Sequence, residues 1–235
     1  MLDIHNHTLF GVDDGAESLE ISIAMLKEAK KQQIDAVILT PHYRHGMFEY
    51  DREKIGMHFL QLCNAADTIG IRIYLGCEYH VDSQILTALL DKRCYTLASS
   101  EYVLTEYSFH TEYAYIHEYT RRLLSAGYIP VIAHVERYQC LIQKPALCEE
   151  LQDLGAMIQI NADSVLGFGD SIETKVCRKL LRRRWVDIIA SDAHNLNSRA
   201  NHLGQCYEYI YKNYDEEYAQ LLMDQNPGRI VAGIE

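Results

Sequence analysis

The chain lacks several features that would assign it to a specialised class of protein. Its 235 residues contain no uninterrupted apolar run near the roughly 20 residues that a membrane-spanning helix needs. Its seven cysteines are scattered without a C-x-x-C pair, which argues against a thiolate zinc site and a disulfide framework. No charged-then-apolar leader precedes the first strand-like residues, so we expect a cytoplasmic protein.

Basic residues are also in short supply. Only 22 Lys and Arg stand against 33 Asp and Glu, which gives a formal net charge of −11. This surplus argues against non-specific binding to nucleic acid, because nothing offsets repulsion from the phosphates. A phosphorylated substrate is still compatible with it, since divalent cations held by clustered carboxylates make a site locally positive.

The chain does have the composition and the alternating pattern of an α/β protein. Hydrophobic residues make up 48% and charged residues 23%, as in globular proteins. Several short apolar runs are continuous rather than alternating, which is typical of parallel strands covered on both faces. Longer amphipathic segments separate them, at 18–33, 51–69, 114–126, 145–154 and 171–184. The seven predicted strands are 2–4, 36–39, 71–75, 102–104, 129–133, 156–160 and 186–190.

Glycines mark the ends of the predicted helices. Gly70, Gly127 and Gly155 each follow an amphipathic segment and precede a strand, the position of a left-handed residue that ends a helix. Repeated strand–helix units without a low-complexity linker predict a parallel sheet. We predict one domain over residues 1–235, a distorted (β/α)₇ barrel, with a doubly wound sheet as the alternative. The segment 198–235 is predicted to be helical, with Asn226-Pro227 beginning its last helix.

Side chains that can bind a metal ion recur where the predicted strands end. In the first strand, the spacing of His5-x-His7 directs both imidazoles to the same side of an extended backbone. The carboxyl ends of all strands in a β/α barrel meet at one rim, so these side chains should form a single cluster. Only the sixth strand, which ends in Asn161, contributes no candidate ligand. The candidates are His5, His7, His42, Glu78, Glu106, His134, Asp192 and His194.

The residue types in this set favour one kind of site. Imidazoles and carboxylates without thiolates suit Mn, Fe or Zn in a polynuclear centre, in which Glu78 and Glu106 can bridge two ions. A single histidine after an apolar strand is more often a packed structural residue. Six strand ends with ligand-type side chains are much harder to attribute to chance, so we favour the metal centre.

The motifs that carry these residues resemble, in order, those of the PHP (polymerase and histidinol phosphatase) superfamily. More narrowly, the chain resembles the bacterial capsular-polysaccharide tyrosine phosphatases of that superfamily. This resemblance implies a distorted (β/α)₇ barrel with three divalent metal ions, usually Mn²⁺. The motifs, spread over residues 1–199, are DIHNH, DDG, TPHYRHGMF, GCEYH, LTEYSF, VIAHVERY and ASDAHN.

The resemblance also implies roles for individual residues. Asp14, in the loop at 11–15, joins the strand-end residues as a metal ligand, although the strand-end pattern alone misses it. Arg137 and Arg199 take the positions of arginines that contact the phosphate. The alternatives are a surface salt bridge between Arg137 and Glu136, and a position at a helix start for Arg199.

The predicted function is metal-dependent hydrolysis of phosphotyrosine on protein. The resemblance implies a bacterial tyrosine autokinase of capsular or exopolysaccharide synthesis as the partner. One alternative is a small-molecule phosphatase of the histidinol-phosphate type. A second is a non-catalytic metal-binding module, which the complete ligand set disfavours. Cys177 and Arg183 match the C-x₅-R spacing of cysteine-based phosphatases, but their predicted helix offers no loop of backbone N–H groups for a phosphate.

Overall fold

Short parallel strands alternate with helices in the computed structural model, which describes residues 1–48 and 50–232. The strands are β1 (Leu2–Asn6), β2 (Ala36–Leu39), β3 (His42–Tyr43), β4 (Arg72–Leu75), β5 (Glu78–His80), β6 (Tyr102–Glu106), β7 (Ile129–Ile132), β8 (Met157–Asn161) and β9 (Ile188–Ala190).

Helices follow most of the strands and cover the outside of the sheet. They are α1 (Leu19–Lys31), α2 (Arg52–Ile69), α3 (Ile85–Leu90), α4 (Tyr113–Ser125), α5 (Gln139–Gln143), α6 (Leu147–Leu154), α7 (Ala162–Leu166), α8 (Ser171–Arg183), α9 (Leu203–Asn213), α10 (Glu216–Gln220) and α11 (Asn226–Val231).

The strands occur in chain order and all pair in parallel. One sheet has the order β1-β2-β4 and the other β3-β5-β6-β7-β8-β9. Since β2 and β3 are two parts of the second predicted strand, and β4 and β5 of the third, all seven predicted strands are present. Asn6 in β1 also bridges Ala193, just after β9, so the first strand lies beside the last. The prediction of a distorted (β/α)₇ barrel is confirmed.

The second and third strands are interrupted by residues that disturb the ladder. Pro41 has no N–H to donate, and strands rarely continue through such a residue. A Cβ at Gly76 would lie 3.0 Å from Cδ2 of Leu97 and 3.1 Å from Cγ2 of Ile38, so a larger residue would push these side chains aside. His42 and Glu78 therefore begin the short strands β3 and β5, whereas the sequence predicted that each ends a longer strand.

The continuous apolar strands serve two cores. Along β2, Ala36 and Ile38 face the barrel interior, whereas Val37 and Leu39 pack in the larger cluster beneath the helices. We call the first group the interior cluster. Its buried members are Leu2, Ile4, Ala36, Ile38, Leu97, Ala98, Leu104, Val131, Ala133, Met157, Ile188, Ala190 and Ile230.

The predicted helix ends are confirmed where glycine was expected. Gly70, Gly127 and Gly155 have φ angles of 74°, 86° and 111°, in the left-handed region that glycine tolerates best. The last described helix begins at Asn226 as predicted and directly follows a π-helical turn. The end of the predicted segment, at 233–235, lies outside the described residues. Within the described part of the chain, no helix has the length and apolar character needed to cross a membrane.

Candidate metal centre

A bulge in β1 turns both histidines of the first motif toward the barrel interior. Asp3 pairs with Val37 but Asn6 pairs with Leu39, so the first strand contains one more residue than the second over this stretch. Such a bulge re-aims the side chains that follow it. Ile4 packs in the interior cluster, and Nε2 of the next residue, His5, still lies 3.4 Å from carboxylate oxygens across the barrel.

Two other candidate ligands have backbone conformations that non-glycine residues rarely adopt. His134, after β7, has a φ of 35°, and Asp192, after β9, has a φ of 53°. Left-handed conformations of this kind cost about 1–3 kcal/mol each and concentrate at functional sites. Both residues lie where their strands end, so the strained turn directs each side chain across the rim.

The loop after β1 brings one carboxylate into the cluster and places its neighbour behind it. Gly15 packs so tightly that a Cβ there would overlap the backbone of His7. Asp13 accepts hydrogen bonds from Nδ1 of His7 at 2.8 Å and from the backbone N–H of His42 at 3.1 Å. Asp14 instead extends into the rim, with Oδ1 3.4 Å from Nε2 of His194.

Every predicted metal ligand lies in one cluster at the carboxyl ends of the strands. Glu78 is near its centre, with Oε1 2.8 Å from Nε2 of His134 and 3.4 Å from Nε2 of His5. Four overlapping groups have ligand atoms within 4.8 Å of one another, and together they include all the candidates. The groups are His7, Asp14, His42 and His194; His5, Glu78 and His134; His5, His7 and Asp192; and His42, Glu78 and Glu106.

The hydrogen bonds behind the imidazoles leave their other nitrogens available to a metal ion. Nδ1 donates to Gln159 Oε1 in His5, to Asp13 in His7 and to the Asp192 carbonyl in His194. A histidine that donates through one nitrogen presents a lone pair on the other. The Nε2 atoms of His5 and His7 face each other at 3.4 Å. A metal ion bound between the two rings would take the place of a proton on these nitrogens.

Buried polar atoms without partners support the same interpretation. Within residues 1–48 and 50–232, His194 Nε2, His42 Nδ1 and Glu78 Oε2 have no hydrogen-bond partner. The last two atoms lie 2.9 Å apart but out of line for a hydrogen bond. Buried polar groups are almost always paired, and those that are not often mark an ion or water site. The residues present therefore fit a divalent metal ion.

The electrostatics of the cluster also favour a cation. Burial alone would raise the pKa of Glu78, but the positive charges of His5 and His42 hold it well below its usual range. Burial would lower the pKa of His5, yet Glu78 and Asp192 raise it to about 9. Burial and then His7 lower the pKa of His194 to about 4, so this imidazole is neutral near pH 7. The buried carboxylates stabilise positive charge in the centre, and bound metal ions would supply that charge.

Both predicted phosphate-contacting arginines point into the site. Nη1 of Arg137 donates to Asp192 Oδ2 at 3.0 Å. Arg199 donates from Nη2 to Asp192 Oδ1 at 3.3 Å and from Nη1 to Asp14 Oδ2 at 3.4 Å. The two alternatives for these residues are wrong, because Glu136 is buried against the backbone of Asn161 and α9 begins only at Leu203.

A cavity of about 230 Å³ opens onto the cluster. Arg137 and Arg199 line it beside several candidate ligands, and Met47, Phe48 and Phe109 form an apolar part of its wall. Met47 and Phe109 are 61% and 51% exposed, which is unusual for such large apolar side chains. The site thus combines a polar floor with an apolar mouth, and we refer to it as the catalytic pocket.

Sequence reasoning missed the residues that support the ligands. Gln159 Oε1 accepts from His5 Nδ1 at 3.0 Å and from the N–H of His134 at 3.1 Å. Its Nε2 donates to Asn161, whose own Nδ2 donates to Asp192 at 2.8 Å. Two side chains of the sixth strand thus support three candidate ligands, His5, His134 and Asp192. Gln159 lies two residues before the end of β8, and the search for ligands at strand ends therefore did not include it.

His80 lies directly behind a candidate ligand, whereas Tyr107 packs away from the cluster. Nδ1 of His80 donates to Glu106 Oε2 at 2.9 Å, behind the ligand cluster. Tyr107 is buried and packs edge-on against Tyr138 at 5.9 Å between ring centroids, in the shell under the helices. Cys177 is buried inside α8, and burial raises the pKa of its thiol well above the usual value, which rules out a reactive thiolate.

Comparisons with known proteins agree with this geometry. The family described as capsular polysaccharide synthesis, CpsB/CapC, matches residues 1–232. The chain is 39% identical to the tyrosine-protein phosphatase CpsB of Streptococcus pneumoniae over 238 aligned positions, which cover 98% of each chain.

Solved structures extend the comparison. This chain superposes on a solved structure with a TM-score of 0.91 at 29% identity. That structure is described as one of "YwqE from Bacillus subtilis and CpsB from Streptococcus pneumoniae, unique metal-dependent tyrosine phosphatases". The match covers 99% of this chain and 94% of that one. A phosphotriesterase homology protein from Escherichia coli has a TM-score of 0.62 at 11% identity, with 97% of each chain covered, and shares the fold.

Proposed function

The chain belongs to the CpsB/CapC family of capsular polysaccharide synthesis, and we propose that it is a metal-dependent protein-tyrosine phosphatase. One observation carries the proposal: imidazoles and carboxylates from six of the seven barrel strands converge, and three of their buried nitrogen and oxygen atoms have no hydrogen-bond partner. Arg137 and Arg199 adjoin this cluster at the pocket wall, within reach of an anionic substrate. A relative of full length carries the same activity in its name.

We propose that the centre holds three divalent ions, with Mn²⁺ preferred over Fe or Zn. Bound ions would supply Lewis-acid stabilisation of the phosphoryl oxygens and lower the pKa of the attacking water. Carboxylates such as Glu78, which belongs to two ligand groups, suit a bridge between ions. The proposed ligands are His5, His7, Asp14, His42, Glu78, Glu106, His134, Asp192 and His194.

The arginines are proposed to bind and orient the phosphoryl group. A guanidinium donates two parallel hydrogen bonds to phosphate oxygens, and it stays charged at any physiological pH. Arg137 and Arg199 are fixed by their contacts to Asp192, so they need little reorganisation when a substrate arrives. The phenol that leaves has a pKa near 10, so protonation by a strong general acid is not required.

The apolar mouth suits the aromatic ring of phosphotyrosine. Phe48 stacks on His42 with an angle of 2° between the rings and 4.9 Å between their centroids. This contact fixes one wall of the pocket, and Phe109 lies on its rim. We propose that the substrate is a phosphorylated bacterial tyrosine kinase of polysaccharide synthesis, met in the cytoplasm. The chain is proposed to act as one domain, since its ligands are spread between His5 and His194.

The test is a substrate panel with metal-loaded protein. Protein loaded with Mn²⁺ should hydrolyse phosphotyrosine peptides and lose that activity in a chelator. Histidinol phosphate and a phosphoserine peptide of the same sequence should be poorer substrates by kcat/KM. His134→Ala should abolish the activity, which excludes a contaminating enzyme.

Two results would contradict the proposal. Fully loaded protein that leaves phosphotyrosine peptides intact would exclude this activity. Faster turnover of histidinol phosphate than of any phosphotyrosine peptide would favour the small-molecule phosphatase instead.

A further inference from the structure

A second cavity, of about 530 Å³, adjoins the catalytic pocket. The two cavities share Arg44 and Phe48 as lining residues, so they are neighbours on the surface. The volume falls in the range of about 300–1,000 Å³ that is usual for ligand sites. We call it the basic groove. It is lined by Tyr43, Arg44, His45, Phe48, Tyr50, Arg52, Lys92 and Arg93.

The charge of the groove is opposite to that of the chain. Four of its lining residues are Arg or Lys, and none of the described residues that line it is acidic. The chain as a whole carries −11, with only 22 basic residues to distribute. Arg44 follows β3, Arg52 begins α2 and Lys92 and Arg93 follow α3, so three separate parts of the fold bring cations to one place.

Two of these cations, Arg52 and Arg93, contact neighbouring side chains. The guanidinium of Arg52 lies over the ring of Tyr95, 4.4 Å from its centroid. Nε of Arg93 lies 3.7 Å from Asp91, an exposed pair that is weakly held. The pKa of the buried Cys94 thiol is lowered, first by a hydrogen bond with Cys77 and then by the positive charges of Arg52 and Arg93. Both guanidinium groups therefore lie close to Cys94.

Aromatic rings give the groove a second chemical property. Tyr43 stacks on Tyr79 with 4.6 Å between centroids, and Tyr50 packs beside it at 4.8 Å. Phe48 forms the wall between the groove and the catalytic pocket. Guanidinium groups next to aromatic surfaces match the two parts of a phosphotyrosyl side chain, a doubly charged anion and a flat ring.

We propose that the basic groove binds a second phosphotyrosine of the same polypeptide while the first occupies the catalytic pocket. This inference rests on the proposed function, because it takes the polypeptide substrate from it. The groove then selects multiply phosphorylated segments and raises the affinity for them. A free anion would not exploit the shared wall, and a nucleic acid would meet the net negative charge of the rest of the surface.

The experiment compares KM for two peptides of one sequence, one with a single phosphotyrosine and one with a second phosphotyrosine one to three residues away. The wild-type, metal-loaded protein should show a KM about tenfold lower for the doubly phosphorylated peptide, the effect of one or two charge-assisted hydrogen bonds. In Lys92→Gln/Arg93→Gln the ratio of the two KM values should fall to about one.

A matched control removes the same charge elsewhere. Lys27→Gln/Lys179→Gln alters exposed residues of α1 and α8 that line neither cavity, and it should keep the tenfold ratio. A second test uses the wild type alone. The ratio of the KM values for the singly and doubly phosphorylated peptides should shrink toward one as NaCl rises to about 1 M, because salt screens exposed charges.

Three outcomes would overturn the inference. They are equal KM values for the two peptides in the wild type, an undiminished ratio in Lys92→Gln/Arg93→Gln, and an equal gain from a peptide with glutamate at the second position. Hydrolysis of both peptides with equal KM removes only this inference. Hydrolysis of neither removes the proposed function and the inference together.

Discussion

The interior cluster and the rim above it are neighbours on the same strands, yet their chemistry is opposite. Ile4 and His5 are consecutive residues, and both are 0% exposed. Apolar side chains in the interior favour folding by leaving water. Buried imidazoles and carboxylates at the rim must be desolvated, which costs free energy unless they are paired. The interior cluster therefore stabilises the fold. The rim residues carry a desolvation penalty, which binding of metal ions would offset.

Among changes at the rim, Glu78→Gln should cause the largest loss of activity and of bound metal. Glu78 contacts His5, His42 and His134, so its loss affects several candidate ligands together. We expect kcat/KM for a phosphotyrosine peptide to fall by at least about 10³-fold, with fewer metal ions per chain. Steady-state kinetics and elemental analysis measure both. Glu118→Gln, an exposed change of the same charge, is the control, and equal activity of the two variants would contradict the account.

The interior cluster should respond in stability rather than in catalysis. Leu104→Ala removes a fully buried side chain and should lower the free energy of unfolding by about 2–5 kcal/mol. Activity per folded molecule should stay within about threefold. Denaturant unfolding of metal-free protein measures the first quantity. Leu60→Ala, at a position that is 67% exposed, should change stability by less than about 0.5 kcal/mol.

Arg199 tests whether the wall of the pocket acts on the substrate rather than on the metals. Arg199→Lys keeps the charge but loses the planar fork that reaches both Asp14 and Asp192. We expect kcat/KM to fall about tenfold or more while the metal content is unchanged. A matching loss of metal would instead make Arg199 part of the ligand scaffold.

The smallest effect is expected behind the cluster, at His80. His80→Gln weakens the hydrogen bond that orients Glu106 and should lower metal affinity by about tenfold. His110→Gln is the control, because His110 is exposed and bonds to Gln139 instead. A metal titration followed by activity distinguishes them. Equal affinities would show that Glu106 is oriented without His80.

The sequence predicted the strands, the main helices and most residues of the cluster because each follows from a local pattern, whereas Asp14, Arg137 and Arg199 were implied only by the family resemblance. Apolar runs identify the buried strands, and glycine closes the helices at Gly70, Gly127 and Gly155. The convergence of distant residues such as His5 and Glu78 then follows from the barrel alone. That these residues bind metal stays a prediction.

The remaining features depend on contacts that no local pattern contains. The bulge in β1 is set by pairing with β2, and the tight fit of Gly76 by packing against Ile38 and Leu97. Gln159 and Asp13 support ligands from other parts of the chain, so their roles appear only in three dimensions. The basic groove likewise combines cations that are remote in sequence.

The most direct test of the account is a metal titration of chelator-stripped protein, followed by hydrolysis of a phosphotyrosine peptide. We predict no activity without metal and a rise with added Mn²⁺ that saturates near three ions per chain. Full activity in the chelator-stripped protein before any metal is added would contradict the central claim.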